Sequence, residues 1–276
     1  MTARDRFAGR LVTMLIALVG LVTVGTLPAA AGSSGTIRYV ALGDSYAAGQ
    51  GGGDYLNDCL QSLNGYPYLL EPRRRIDLRA NAACSGASTS EVRSTQLSEL
   101  NQDTELVTLT VGAADLDLQG VLAACTPEPT AAGCQDAINV ALGELALLGV
   151  SLTNLYGQVA AAAPDALIVV TGYPYLFEIV PGDPTAAIKD QINNAVTLLN
   201  RTIQQAVAAA QGAEVNIVYV DVTAEFAGHG IGSKRPFINP DGLDAYHPNA
   251  AGYRAYAKAI FAAIRSAGLV DNKQVA

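Results

Sequence analysis

The stretch Ile37-Arg38-Tyr39-Val40-Ala41-Leu42-Gly43-Asp44-Ser45-Tyr46-Ala47-Ala48-Gly49 decides the fold. Ile37 to Leu42 is a short, mostly apolar run of strand length, and Gly43-Asp44-Ser45 ends it with turn-forming residues ahead of a helix. Four similar runs follow: Ile76 to Ala82, Leu106 to Val111, Ala166 to Thr171 and Val215 to Val220. Several are apolar almost without alternation, which suits strands covered on both faces.

Helical patterns lie between these runs. Ile188, Ile192, Val196, Leu199, Ile203 and Val207 recur at spacings of three and four, with Asp183 as the expected N-cap, Pro184 at the first helical position and Gly212 after the end. Gln135 to Ala163 also reads as helix, with a break expected at Gly143 or Gly149 and a stop at Pro164. Near the C-terminus Tyr253, Tyr256, Ala257, Ile260, Phe261 and Ile264 share one helical face. Strand alternating with helix predicts an α/β fold, a parallel sheet with helices on both sides. Without a linker or an internal repeat, residues 32–276 are expected to form one domain.

Composition narrows the functional classes. The 276 residues are 50% hydrophobic and only 15% charged, enough to build a large core. Asp and Glu number 25 against 17 Lys and Arg, a net charge of −8 that disfavours nucleic acid. Arg4, Arg6 and Arg10 precede the uncharged stretch Leu11 to Leu27, then Pro28 and Ala29-Ala30-Ala31. Residues 1–31 therefore read as a signal peptide cleaved after Ala31, and the protein is expected to be secreted. Retained, Leu11 to Ala31 is apolar enough to tether the protein to a membrane instead. The junction holds no cysteine, which excludes a lipid-anchored one.

Cys59, Cys84, Cys125 and Cys134 all lie in the exported part, where disulfides persist. Of three possible pairings, Cys59–Cys84 and Cys125–Cys134 are favoured because each closes a local loop. Zinc is disfavoured, since there is no Cys-x-x-Cys and the chain has only two histidines.

In a parallel α/β sheet, ligands collect beyond the C-terminal strand ends. Those ends carry Gly43-Asp44-Ser45, Ala83-Cys84-Ser85-Gly86, Gly112-Ala113-Ala114-Asp115 and Gly172-Tyr173-Pro174-Tyr175, and the last long loop carries Asp244-Ala245-Tyr246-His247-Pro248-Asn249. A serine hydroxyl needs a neighbouring base to become a nucleophile, and a histidine oriented by a carboxylate is the usual solution. Ser45 is thus the expected nucleophile, His247 the base and Asp244 the acid that orients it. The backbone amides of Ser45 and Gly86 are placed to hold an oxyanion.

These blocks, with Ala-Cys-Ser-Gly at 83–86 and His-Pro-Asn at 247–249, resemble the SGNH (GDSL) hydrolases, and within them the secreted actinobacterial esterases and lipases. The resemblance spans roughly the whole exported chain. It implies a flavodoxin-like three-layer αβα sandwich with strand order 2-1-3-4-5, and a cofactor-free, metal-free serine ester hydrolase working through Ser45, His247 and Asp244. Its partner is expected to be a small-molecule ester of a lipid or acylated glycan, and the protein a monomer. One position departs from the family pattern, Gly-x-Asn-Asp in the third block, because Ala114 stands where its oxyanion-donating Asn would be. Loss of such a donor costs about 10²–10³ in kcat. The alternative is a weakened or inactive protein of this fold that binds acylated lipid or glycan.

Other features take plainer readings. Gly49-Gln50-Gly51-Gly52-Gly53 lacks the Gly-Lys-Ser/Thr ending of a P-loop and is expected to form a flexible rim. His229 is read as structural, and Asp115 and Asp117 as cap or solvated positions. Tyr46, Tyr173, Pro174, Tyr175 and Phe177 are candidates for a pocket wall. Gly43-Asp44-Ser45-Tyr46-Ala47 lacks the last glycine of Gly-x-Ser-x-Gly, which argues against the α/β-hydrolase fold.

Overall fold

In the computed structural model, which describes residues 35–73, 75–125 and 132–270, the five expected runs form strands. They are β1 (Ile37–Gly43), β2 (Ile76–Asn81), β3 (Leu106–Thr110), β4 (Leu167–Thr171) and β5 (Ile217–Val220). All pairs are parallel and the order is β2-β1-β3-β4-β5. Every residue of β3 and β4 is buried, whereas the edge strands β2 and β5 are only partly so. The unbroken apolar runs therefore mark the centre of the sheet. Two threonines break the run in β3 and are satisfied inside the core. Thr108 Oγ1 lies 2.7 Å from the Tyr39 hydroxyl, and Thr110 Oγ1 2.6 Å from Thr171 Oγ1.

The helices are α1 (Ser45–Ala48), α2 (Tyr66–Leu70), α3 (Thr89–Glu91), α4 (Leu118–Cys125), α5 (Ala132–Ala162), α6 (Ala186–Gly212), α7 (Thr223–Phe226) and α8 (Ala250–Ser266). The chain leaves β1 toward β2 on one side, then returns past it to β3, β4 and β5 on the other. Right-handed crossovers then send the two groups of helices to opposite faces. Accordingly α2, α7 and α8 pack together in one layer, and α4, α5 and α6 in the other. The three-layer αβα sandwich is the expected one. Its strand order reverses between β1 and β3, so their C-terminal ends flank the crevice.

Three local expectations change. α5 runs unbroken through Gly143 and Gly149. Each glycine costs a helix only about 1 kcal/mol, and burial of Ile138, Ala141, Leu148, Leu152 and Leu155 on the same helix outweighs that. α6 begins at Ala186 rather than Pro184, because the Asp183 carboxylate accepts from the Thr185 amide at 2.8 Å and hydroxyl at 2.7 Å, closing a turn before the helix starts. β5 starts at Ile217, two residues later than its apolar run. Both favoured disulfides, Cys59–Cys84 and Cys125–Cys134, are present. The expected signal peptide lies outside the described residues.

Candidate active site

Ser45 is placed by a turn that is fastened from several sides. The Asp44 amide donates to the Thr110 carbonyl at 2.9 Å, tying the end of β1 to β3. The buried Gln96 amide accepts from Gly43 N at 2.7 Å and donates to Gly43 O at 2.9 Å. Asp44 caps α1 by accepting from Tyr46 N at 3.0 Å, which leaves Ser45 as the first helical residue. The other Asp44 oxygen accepts from the Tyr173 hydroxyl, which in turn accepts from Ala113 N at 3.1 Å. Burial pushes the Asp44 carboxyl up to about 7, against the opposing pull of its bonds from Tyr173 and Tyr46.

His247 arrives from the last loop, just before Asn249 caps α8. Its Nε2 lies 2.8 Å from Ser45 Oγ, across 202 residues of sequence. Nδ1 lies 2.9 Å from the Ala245 carbonyl. A carbonyl only accepts, so Nδ1 carries the proton and Nε2 is left as the acceptor facing the serine. The ring contact expected of Asp244 is made instead by this backbone carbonyl, and the Asp244 carboxylate accepts from the Tyr55 hydroxyl. The cause is the tightness of the turn. His247 N donates to Asp244 O at 3.1 Å and Tyr246 takes φ 67°, which aims the Ala245 carbonyl at the imidazole. Burial holds the imidazole below its ordinary pKa, partly offset by the Ala245 carbonyl and the nearby Asp244 charge.

Gly86 sits across from the serine at φ 80°, where an added Cβ would meet open space. The backbone conformation, rather than crowding, is what favours glycine here. Among the described residues, neither the Ser45 nor the Gly86 amide donates to a protein acceptor. Ser45, Gly86, Ala114 and His247 line a cavity of about 560 Å³. Leu118 and Leu122 of α4, Val196 of α6 and Leu176 give its wall an apolar part, with Leu60 and Leu243 also on its surface. Tyr46, Tyr173 and Pro174 belong to the wall as anticipated. Tyr175 turns outward to accept from Thr197 at 3.1 Å, and Phe177 packs edge-on against Tyr246.

The secondary readings sort out by contact. Asp115 accepts from the Thr89 amide at 2.9 Å, and Asp117 from the Gly120 amide at 3.1 Å, both helix-start positions. His229 stacks on Phe237 with its Nδ1 at the Arg235 carbonyl, a structural role. The glycine run is not a loose rim. A Cβ on Gly51 would lie 2.4 Å from Pro248 O and 2.9 Å from His247 Cβ, so this run is the bed on which the histidine loop rests. Sequence reading missed Tyr55, Gln50, Gln96 and Asn200. Gln50 joins three loops, donating to Leu243 O at 3.0 Å, accepting from Ser85 Oγ at 2.5 Å and offering its carbonyl to the Tyr253 hydroxyl at 2.6 Å. Asn200 holds both backbone polar groups of Tyr173 at 2.8 Å. Among the described residues there is no group of three or more His, Cys, Asp or Glu able to hold a metal ion.

A serine bonded to a histidine at the switch point of a doubly wound sheet, with two backbone amides unspent beside it, defines the class: a serine ester hydrolase. Comparison with known proteins agrees. Residues 41–255 match the GDSL-like lipase/acylhydrolase family, and the chain belongs to that family. Lipase 1 of Streptomyces coelicolor is 31% identical over 261 residues, 90% of this chain and 94% of its own length. The extracellular lipase of Streptomyces rimosus superposes with a TM-score of 0.74 at 30% identity, over 83% of this chain and 100% of its own. Phospholipase A1 from Streptomyces albidoflavus gives 0.74 at 34% identity, over 82% and 99%.

Proposed function

We propose that the protein is exported, with residues 1–31 removed, and cleaves lipid esters by acyl transfer through Ser45. The observation that carries this reading is the 2.8 Å contact between Ser45 Oγ and His247 Nε2 at an apolar cavity. Ser45 Oγ attacks the ester carbonyl while Nε2 takes its proton. The tetrahedral oxyanion is held by the Ser45 and Gly86 amides, which need no reorganisation. Collapse expels the alcohol, protonated by the same Nε2, and leaves an acyl-serine. Water, deprotonated in turn by His247, attacks that acyl group and releases the acid and the free serine. Ala245 O keeps the imidazole in the required tautomer throughout.

The lipid assignment rests on the apolar side of the cavity and on relatives named lipases and a phospholipase A1. Export is supported by the two disulfides and by a relative described as extracellular. The test is kcat/KM of the purified protein on p-nitrophenyl esters of increasing chain length. Ser45→Ala is expected to lower turnover at least about 10³-fold on every ester. A variant as fast as the wild type would end this reading, and turnover of neither protein would favour an acyl-lipid binder.

A further inference from the structure

The His247 turn is shaped by two internal bonds, one from the ring Nδ1 to Ala245 O and one between backbone groups. Its one internal backbone bridge, His247 N to Asp244 O, leaves Tyr246 in the left-handed region, which a bulky side chain rarely adopts. From outside, its backbone is held by Asn239 and by the Tyr46 hydroxyl, and the Asp244 carboxylate by a phenol. The Tyr55 hydroxyl donates to Asp244 Oδ1 and accepts from Gly51 N at 2.8 Å, and Gly51 is the residue against which His247 Cβ and Pro248 O lie. Tyr55 is itself anchored. It faces Ser62 across an antiparallel bridge, Leu56 N donates to Gln61 O at 2.8 Å, and the same hairpin carries Cys59, disulfide-bonded to Cys84 beside Gly86.

We propose that Tyr55 is a positioning residue for the reaction, latching the Asp244–His247 turn onto the glycine run so that Nε2 stays within reach of Ser45. In this arrangement Asp244 serves the base through Tyr55 rather than through the ring. The phenol is suited to the task. Burial and the Asp244 charge push its pKa up to about 12, so the proton that makes the bond is retained. The inference rests on the hydrolase reading, and the experiment separates the two.

The experiment is a double-mutant cycle on the full exported protein with Tyr55→Phe, Asp244→Asn and both together, and Ser45→Ala as background. Tyr55→Phe keeps the ring and removes only the hydroxyl. Each single variant is expected to lose about ten- to hundredfold in kcat, the scale of an ångström-sized misplacement, with KM little changed. The double variant is expected to be no slower than the slower single, because both remove one link. A purely structural role would instead lower the folded fraction, read by active-site titration with an organophosphonate, and leave kcat per titrated site at the wild-type value, which would overturn the latch. Wild-type kcat in Tyr55→Phe beside a large loss in Asp244→Asn would overturn the latch and return Asp244 to the imidazole. Additive losses would overturn it too. A Ser45→Ala protein as fast as the wild type would remove both readings together.

Discussion

On one side of the cavity the histidine loop is held to residues 46–55 by directed hydrogen bonds: Tyr46 hydroxyl to Tyr246 O at 2.5 Å, Gln50 to Leu243 O at 3.0 Å, Asn239 Nδ2 to Gly51 O at 3.1 Å, and the Tyr55–Asp244 link. Elsewhere on its wall Leu118, Leu122, Leu176 and Val196 present apolar side chains, with the far end of α4 stapled to the start of α5 by Cys125–Cys134. Hydrogen bonds fix distance and angle. Apolar packing fixes volume and accepts other side chains of similar size. The contrast separates the two tasks of the site, since chemistry needs the first kind of precision and choice of acyl chain needs only the second.

Ala114 lines the same cavity, and of the changes that test this contrast Ala114→Asn should produce the largest effect. Family resemblance puts an oxyanion donor at this position, and one such donor is worth about 10²–10³ in kcat. The substitution is expected to raise kcat tenfold or more, equally for short and long esters. A changed chain-length profile at constant kcat would show that the separation is false. Next comes Leu118→Trp, which fills the apolar side without touching a hydrogen bond. It is expected to lower kcat/KM for long-chain esters about tenfold while leaving short ones unchanged. Equal loss on all lengths would again join the two sides.

The smallest effect is in pH. On the proposed mechanism His247 must be neutral to accept the serine proton, and burial lowers its pKa. Protonation of the free enzyme therefore sets in below the ordinary histidine value of about 6.5. The acid limb of kcat/KM should fall below that pH, with activity rising as pH rises through it. A limb at or above 6.5 would mean that water reaches the ring and that the hydrogen-bonded side is looser than its geometry implies.

The sheet was legible because burial on both faces writes itself as unbroken apolar runs, and the Ser45–His247 pair, the proposed nucleophile and base, because that chemistry needs those residue types at this edge of the sheet. What supports them was not. Gln96, Asn200 and Tyr55 each meet their partners across long sequence separations, and no local period marks a side chain whose role is one distant bond. Asp244 shows the opposite error: spacing correctly brought it near His247, but a three-residue turn can present either a carboxylate or a backbone carbonyl to the ring, and only φ at Tyr246 decides. The glycines of 49–53 carry a signal, close approach, that sequence alone does not separate from mobility.

Ser45 and His247 are separated by 202 residues, and the histidine loop leads directly into α8, which packs on α2, β4 and β5. Contacts across such a separation carry a loop-closure cost and are slow to form. Catalysis in this protein is thus a late readout of folding. On the proposed mechanism a chain emerging from synthesis stays chemically silent until its final helix docks, and during refolding the recovery of turnover should lag behind the recovery of helical and sheet structure.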